Sequence, residues 1–320
     1  MKKTCLILIV GGVLLSLGAS VFAYRIENLP GTLVEGDIVF GPGKIELVLE
    51  PGSSTTREIY ITNRLGREMT FQVEVEDMTG SPDPEKTVIF LGEKRGPYTL
   101  KDWVHPEIKE FTLQHGQRMR LPVEIKIPED AEPGGRYGVV FVATKPEPPE
   151  VKPGEQEAAG GIAIRTRTGA LLFVRIPGEV KEEGYLKEFG LDPSKRFFEK
   201  GPITFKFIFE NQGNVHLNPH GRMEIKNMVG RPVGEIEVAP FFTLPNSSRM
   251  HKVTWERKKL FGKYIATAYI NRGYNNITDT KTVEFWVIPW KLLAIGLVGL
   301  FLLIWFVWWV ATHFEIRRKS

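Results

Sequence analysis

Disulfide bonds cannot stabilise the mature form of this protein, because its 320 residues include one cysteine, Cys5. Cys5 lies in an N-terminal apolar run, residues 5–17, that we predict to be removed with a leader peptide. The folded domains must then be stabilised by burial of apolar side chains alone. Such burial is sufficient for domains of about 100 residues or more.

The chain also has little net charge. Its formal charge is +4, of which Lys2 and Lys3 supply two and the residues after Ile288 supply a net three. The segment between them therefore carries a charge of −1. This balance gives no basic footprint for nucleic acid, and we expect no nucleic-acid partner.

Motifs of enzymes and cofactor sites are missing as well. The sequence contains no Gly-x-Ser-x-Gly nucleophile motif and no phosphate-binding glycine loop. His216 and His220 have a spacing that could share a metal ion on a helix, but Asn218 and Pro219 between them indicate a turn. We therefore predict a protein that is not an enzyme and has no cofactor.

One oxygen-rich segment could bind calcium. Asp77, Asp83 and Glu85 lie close together in the sequence, and loops at the ends of sandwich domains can supply such ligands. Pro82 and Pro84 are equally typical of a plain turn. The sequence leaves both alternatives open.

The N-terminus has the three parts of a secretory signal peptide. Lys2 and Lys3 precede the apolar run, and Val21-Phe22-Ala23 follows it. We predict a signal peptide at residues 1–23 with cleavage after Ala23. The alternative is an uncleaved anchor helix, although the apolar run is short for a membrane span.

A longer apolar run lies near the C-terminus. It starts at Leu292, ends at Ala311 and contains no charged residue. Twenty helical residues cross roughly 30 Å of hydrocarbon, so we predict a transmembrane helix at residues 290–311. Basic residues stay on the cytoplasmic side, and those of the tail at residues 312–320 are Arg317, Arg318 and Lys319. We expect a single-pass protein of the cell membrane with its N-terminal ectodomain outside and its C-terminus in the cytoplasm.

The middle of the chain alternates apolar and polar residues, as in residues 123–127 and 203–209. A period of two is typical of β-strands with one buried face, and 22 prolines and 32 glycines disfavour long helices. We predict an all-β ectodomain of two tandem Ig-like antiparallel β-sandwiches. The first domain covers residues 24–180, with long loops at 77–110 and 145–161, and the second covers residues 185–288.

An internal repeat supports two copies of one fold. The segment before the strand at residues 123–127 resembles the segment before residues 253–255, and Gly135-Arg136-Tyr137 resembles Gly262-Lys263-Tyr264. A strand ending in asparagine also occurs twice, at Asn63 and Asn211. Three landmarks in one order indicate repeated domains.

These landmarks resemble the WxL-interacting proteins, which are bacterial cell-surface proteins. The residues that carry the resemblance are Leu49-Glu50-Pro51-Gly52, Ile61-Thr62-Asn63, Glu76-Asp77, and residues 127–138, 211–214 and 261–264. The resemblance implies tandem Ig-like domains with a C-terminal span. It also implies a binding protein whose first domain associates with peptidoglycan and whose second associates with a partner surface protein.

The long loop of the first domain holds the candidate ligand-binding residues. Aromatic side chains flanked by polar groups are what a glycan or protein surface requires. We predict ligand binding by Arg95, Tyr98, Lys101 and Trp103. The alternative for Trp103 is that it folds back over the first core.

Three functions are compatible with the sequence. The favoured one is a non-catalytic, membrane-anchored adhesion or scaffold protein that binds a cell-wall glycan, a partner surface protein, or both. The alternative is an envelope-assembly chaperone that uses a sandwich edge strand. A wall-modifying enzyme would need converging titratable groups, and the sequence indicates none.

Overall fold

The computed structural model describes residues 23–145 and 165–313. These residues form two β-sandwiches followed by one long helix. The prediction of tandem Ig-like sandwiches with a C-terminal helix is confirmed. Residues 1–22 of the predicted signal peptide, all of the predicted 145–161 loop except Lys145, and the tail residues Arg317, Arg318 and Lys319 lie outside the described residues.

The first sandwich is built from two sheets, with a short 3₁₀ turn at Lys101–Trp103 before β7. Its strands are β1 (Arg25–Asn28), β2 (Ile38–Gly41), β3 (Lys44–Val48), β4 (Ser54–Asn63), β5 (Met69–Thr79), β6 (Ile89–Phe90), β7 (Val104–Pro106), β8 (Glu110–Leu113), β9 (Gln117–Lys126), β10 (Gly134–Thr144) and β11 (Arg167–Ile176). One sheet has the order β1-β9-β4-β2, with β7 also pairing with β9. The other has the order β3-β11-β10-β5-β6, with β8 also pairing with β5.

The second sandwich follows directly along the chain. Its strands are β12 (Gly184–Asp192), β13 (Phe197–Phe198), β14 (Ile203–Asn211), β15 (His220–Asn227), β16 (Pro232–Val238), β17 (Ser247–Trp255), β18 (Gly262–Asn271) and β19 (Thr278–Val287). The sheet orders are β12-β14-β17 and β13-β19-β18-β15-β16. Alternating phenylalanines on β14, namely Phe205, Phe207 and Phe209, are fully buried in its core.

The two sandwiches share one strand plan. In each, two consecutive strands lie in different sheets, β2 then β3 in the first and β12 then β13 in the second. As a result, β3 runs parallel to β11 and β13 runs parallel to β19. The repeated sequence segments fall on matching strands, namely β9 with β17 and β10 with β18. The sequence repeat is therefore the trace of one fold used twice.

Buried asparagines explain the strongest part of that repeat. The Asn63 amide donates to the carbonyls of Arg67 and Leu113, both at 2.8 Å, and its oxygen accepts from Leu65 N at 2.9 Å. Asn211 makes the same three bonds, to Val215 O, Thr243 O and Gly213 N. Each asparagine ties the turn after its strand to the chain that leads into the matching strand β9 or β17.

The C-terminal helix α1 (Trp290–His313) is 24 residues long. Its segment Trp290–Val310 is long and apolar enough to cross a membrane, and none of it is buried against the sandwiches. The predicted span from Leu292 to Ala311 lies within this helix.

We predict that Asn211→Ala lowers the free energy of unfolding by about 2–4 kcal/mol, because it removes three buried hydrogen bonds and leaves Val215 O and Gly213 N without the partner that Asn211 supplied. Gln212→Ala on the same turn is the matched control, since Gln212 is exposed. Urea unfolding of the detergent-solubilised chain, followed by far-UV circular dichroism, measures both. Equal stability of the two variants would contradict this role.

Candidate functional site: a locked domain junction and an open strand edge

A dry cluster joins the two sandwiches. Met78, Tyr137 and Phe173 of the first sandwich pack against Leu244 of the second, and each is at most 1% exposed. The Tyr137 ring meets Phe173 edge to face at a centroid distance of 5.6 Å. Burial of this apolar surface favours one relative placement of the domains.

A chain of hydrogen bonds runs through the cluster. The His216 backbone N–H donates to Tyr137 Oη at 2.5 Å, and His216 Nε2 lies 2.6 Å from Glu46 Oε1. A carboxylate can only accept, so Nε2 carries the proton and Nδ1 accepts from the Tyr137 hydroxyl at 3.3 Å. His216, whose spacing from His220 would suit a metal ion only on a helix, is therefore bonded within the junction between the domains.

Burial lowers the pKa of His216, although the Glu46 carboxylate opposes this. The imidazole is therefore neutral near pH 7. Burial raises the pKa of Glu46, but hydrogen bonds from Lys44 and His216 outweigh it and lower the value to about 2. The Glu46–His216 contact at neutral pH is thus a charge-assisted hydrogen bond from a neutral imidazole.

The segment around Asp83 is a second junction contact. Ser248 N donates to Ser81 O at 3.2 Å, and Met250 N donates to Pro84 O at 2.7 Å, so this loop lies along the free side of β17. A Cβ atom on Gly80 would lie 2.3 Å from the Ser247 side chain, so only glycine permits this approach. Of the two alternatives given for this segment, calcium binding and a plain turn, its conformation is that of a turn.

Asp77 organises the long loop of the first domain. Its carboxylate accepts from Gly96 N, Thr99 Oγ1, Leu100 N and Lys101 N at 2.6–3.2 Å. Those oxygens are already satisfied by protein donors. Among residues 23–145 and 165–313, no group of three or more His, Cys, Asp or Glu side chains could hold a metal ion.

The four predicted ligand-binding residues make separate contacts in the structure. Arg95 forms a bidentate pair with Asp102 at 2.6 and 2.9 Å, and Lys101 Nζ donates to Glu93 O at 3.1 Å. Tyr98 Oη accepts from Asn246 Nδ2 at 2.9 Å across the junction.

Trp103 packs against the first core, with the Arg136 guanidinium 5.6 Å from its ring, which matches the alternative given for it. The four side chains do not form one site, and their binding of a ligand stays a prediction.

On β5 and on β11, the neighbouring strands leave part of one edge uncovered in the described residues. A cleft of about 650 Å³ lies beside β5, with Lys101, Lys109 and Glu93 among its lining residues. Val73 N is bonded to Lys109 O and Asp77 O to Leu91 N, so only Val75 between them faces this gap. A single open residue is too short to template an added strand.

The edge of β11 is longer. Leu171 N donates to Gly43 O, where β3 begins to cover β11, and Arg175 O accepts from Leu49 N at the far end. Alternate residues point their backbone groups the same way, so Arg167 and Gly169 also direct N–H and C=O outward. No described residue pairs with these groups. Such an edge is a ready template for another chain.

The side chains around this edge are held in place. Arg167 lies 3.4 Å from the Phe141 ring centroid and pairs with Glu76 at 2.6 Å. A Cβ atom on Gly169 would come within 2.7 Å of Phe141, so glycine is required there. A glycine inside an apolar strand marks close approach and was the available sequence signal for this edge, which sequence reasoning missed.

Comparisons with known proteins give a fold likeness only. No family model and no curated protein matches the chain. Among solved structures, the class 5 fimbriae chaperone CfaA is 10% identical with a TM-score of 0.36, over 79% of this chain and 100% of that chain.

The E. coli chaperone DraB is 17% identical with a TM-score of 0.33, over 78% and 97% of the two chains. The Pseudomonas aeruginosa chaperone CupB2 is 10% identical with a TM-score of 0.32, over 76% and 97%. At these values the likeness carries no argument about what this chain binds.

We predict that the junction weakens in mild acid. Because the pKa of His216 is lowered by folding, its stabilising contribution is complete above about pH 6.5 and is lost as the pH falls below that value. The free energy of unfolding should fall as the pH drops below about 6.5, with a slope of at most about 1.4 kcal/mol per pH unit for this one group. Glu46 adds a similar loss below pH 4.5, continuing toward its folded pKa of about 2.

His216→Gln should reduce the slope of this profile below pH 6.5, as measured by urea unfolding at each pH. His105→Gln, at an exposed histidine, is the matched control and should keep the wild-type slope. An unchanged slope in His216→Gln would contradict the assignment.

Proposed function

We propose that this chain is a non-catalytic, membrane-anchored binding protein that captures an extended segment of a partner protein at the β11 edge. The observation that carries the proposal is the pair of outward-facing backbone groups at Arg167 and Gly169, on the part of β11 that β3 does not cover. Strand addition uses main-chain hydrogen bonds for affinity and neighbouring side chains for specificity.

The binding energy expected from this edge is modest. Two residues offer two donors and two acceptors, and each main-chain bond contributes about 0.5–1.5 kcal/mol net. Arg167 and Glu76 stand beside the edge as an ion pair that could contact the side chains of the added segment. A partner that binds here would therefore need further contacts, such as the exposed ring of Phe90 on β6, which is 41% exposed.

Membrane anchoring is the second part of the proposal. Helix α1 supplies the span, and the predicted signal peptide and basic tail would place the two sandwiches outside the membrane. The resemblance to WxL-interacting proteins points the same way, with a surface protein as partner. We favour a protein partner over peptidoglycan because no aromatic side chain lines the cleft beside β5 in the described part of the chain.

The chaperone alternative rests on the same β11 edge. A chaperone would release its client on assembly, whereas a scaffold would retain its partner at the surface. The anchoring helix favours retention, because it fixes the binding edge to one membrane. The persistence of a captured partner discriminates between these two functions.

We predict that a photoreactive amino acid at Thr166, next to the open edge, captures a surface protein in the native cells. The same group at Thr282, on the exposed face of β19, should capture none. Arg167→Pro should reduce the Thr166 adduct about two- to tenfold relative to Arg167→Ala, as expected for the loss of one main-chain hydrogen bond. Both variants lose the ion pair to Glu76, but only proline also removes the outward N–H donor.

Equal adduct yields from Arg167→Pro and Arg167→Ala would contradict strand addition at this edge. An adduct that disappears during a chase would favour the chaperone alternative. An adduct that persists would favour the scaffold.

A further inference from the structure

The end of the second sandwich is joined to helix α1 with almost no spacer. Strand β19 ends at Val287 and the helix begins at Trp290. The linker is itself bonded, because Ile288 N donates to Phe198 O at 2.8 Å and Leu293 N donates to Pro289 O at 3.1 Å. If the helix spans a membrane, as in the proposed function on which this inference rests, this end of the sandwich lies at the bilayer surface.

Strand register places three connecting segments at the same end. Gly262 is paired with Val287, Phe197 with Trp286, and Ile203 with Trp255. The segments 193–202 and 256–263 therefore lie there. The turn at residues 227–232 joins them, since Asn227 is paired with Tyr264. We call these three segments, together with residues 288–291, the membrane-proximal end.

This end is strongly basic. It contains nine Lys and Arg residues and two Glu residues, although residues 24–288 together carry a net charge of −1. The basic residues are Lys195, Arg196, Lys200, Arg231, Arg257, Lys258, Lys259, Lys263 and Lys291. Positive charge is thus concentrated beside the helix and balanced by negative charge elsewhere in the sandwiches.

Most of these basic side chains form no ion pair within the described part of the protein. Lys263 pairs with Glu284 at 2.7 Å and Lys291 with Glu199 at 3.1 Å. The others form no ion pair with any residue of the ranges 23–145 and 165–313. Lys258 and Lys259 are both exposed at the tip of the connection between β17 and β18.

Exposed apolar side chains are interleaved with the basic ones. Their exposed fractions are 64% for Phe197, 56% for Met228, 69% for Val229, 61% for Phe261, 40% for Trp286 and 59% for Trp290. Aromatic and aliphatic tips among lysines and arginines are the composition that inserts between lipid headgroups. A surface of this composition could also bind a partner protein. The membrane-proximal end, however, borders the start of the apolar helix α1, and a helix that spans a bilayer would place this surface against the headgroups.

We propose that the membrane-proximal end docks onto anionic phospholipid headgroups of the bilayer that α1 spans. The basic side chains bind the headgroup phosphates, and Val229, Met228 and Phe261 enter the interface. Docking would fix the tilt of the second sandwich. Strand β18 has 10 residues and therefore spans about 33 Å. Docking of the membrane-proximal end would hold the first sandwich at least that far from the headgroups.

The test uses the full chain in lipid nanodiscs. Val229→Cys and, separately, Ile277→Cys are made in a Cys5→Ser background and labelled with an environment-sensitive fluorophore. Ile277 is the matched control, because it lies in the turn at the opposite end of the same sandwich and is 40% exposed. The nanodiscs contain phosphatidylcholine alone or with one quarter phosphatidylglycerol, plus a doxyl-lipid quencher.

In the phosphatidylglycerol nanodiscs, the Val229 label should be quenched at least fivefold more than the Ile277 label. Lys258→Glu with Lys259→Glu should lower the ratio of docked to undocked protein at least about tenfold, since each charge near an anionic surface contributes severalfold in affinity. The same charge change in the first sandwich, Arg57→Glu with Lys126→Glu, should leave the ratio unchanged.

Equal quenching of the two labels would overturn the proposal, and so would docking that survives the reversal of Lys258 and Lys259 or is as strong in phosphatidylcholine alone. Alkaline carbonate extraction of the same preparations distinguishes a loss of headgroup docking from a failure of membrane anchoring. Protein that resists extraction but shows no docking contradicts only the headgroup contact, whereas extracted protein contradicts the anchor.

Discussion

The contact between Tyr137 and His216 is the constraint on which the relative placement of the two sandwiches depends. Two Ig-like sandwiches joined by a short linker would otherwise be free to rotate. Here the tyrosine hydroxyl is bonded to the backbone and ring of one histidine, and that histidine is bonded to Glu46. Both ring nitrogens of His216 and both carboxylate oxygens of Glu46 have hydrogen-bond partners, so these polar groups do not offset the burial of the surrounding aromatic rings.

The junction between the sandwiches determines how the other features lie relative to one another. The open β11 edge belongs to the first sandwich, and the basic membrane-proximal end belongs to the second. Because the junction joins them rigidly, anything that orients the second sandwich on a bilayer also orients the β11 edge. The loop around Asp83, which lies along β17, and the bond between Tyr98 and Asn246 support the same placement.

Local patterns in the sequence predicted the fold well. Alternation of apolar residues, as in β14, needs only a period of two, and Asn63 and Asn211 recur because each makes the same three bonds. The functional surfaces depend on long-range pairing. Tyr98 meets a residue 148 positions away, and the β11 edge is open because β3 covers only part of it. The net charge of the chain gave no indication of the basic membrane-proximal end, because a net charge does not record where along the chain the charged residues lie.

The central claim is that the two sandwiches form one rigid unit, and the distance between them tests it most directly. Spin labels at Ser54→Cys in the first sandwich and Thr282→Cys in the second, both exposed, suit pulsed electron–electron double resonance on the full chain in nanodiscs. The account predicts a single narrow distance distribution at pH 7.5, which broadens when Tyr137→Phe and His216→Ala are combined. A broad distribution in the unmodified junction would contradict it.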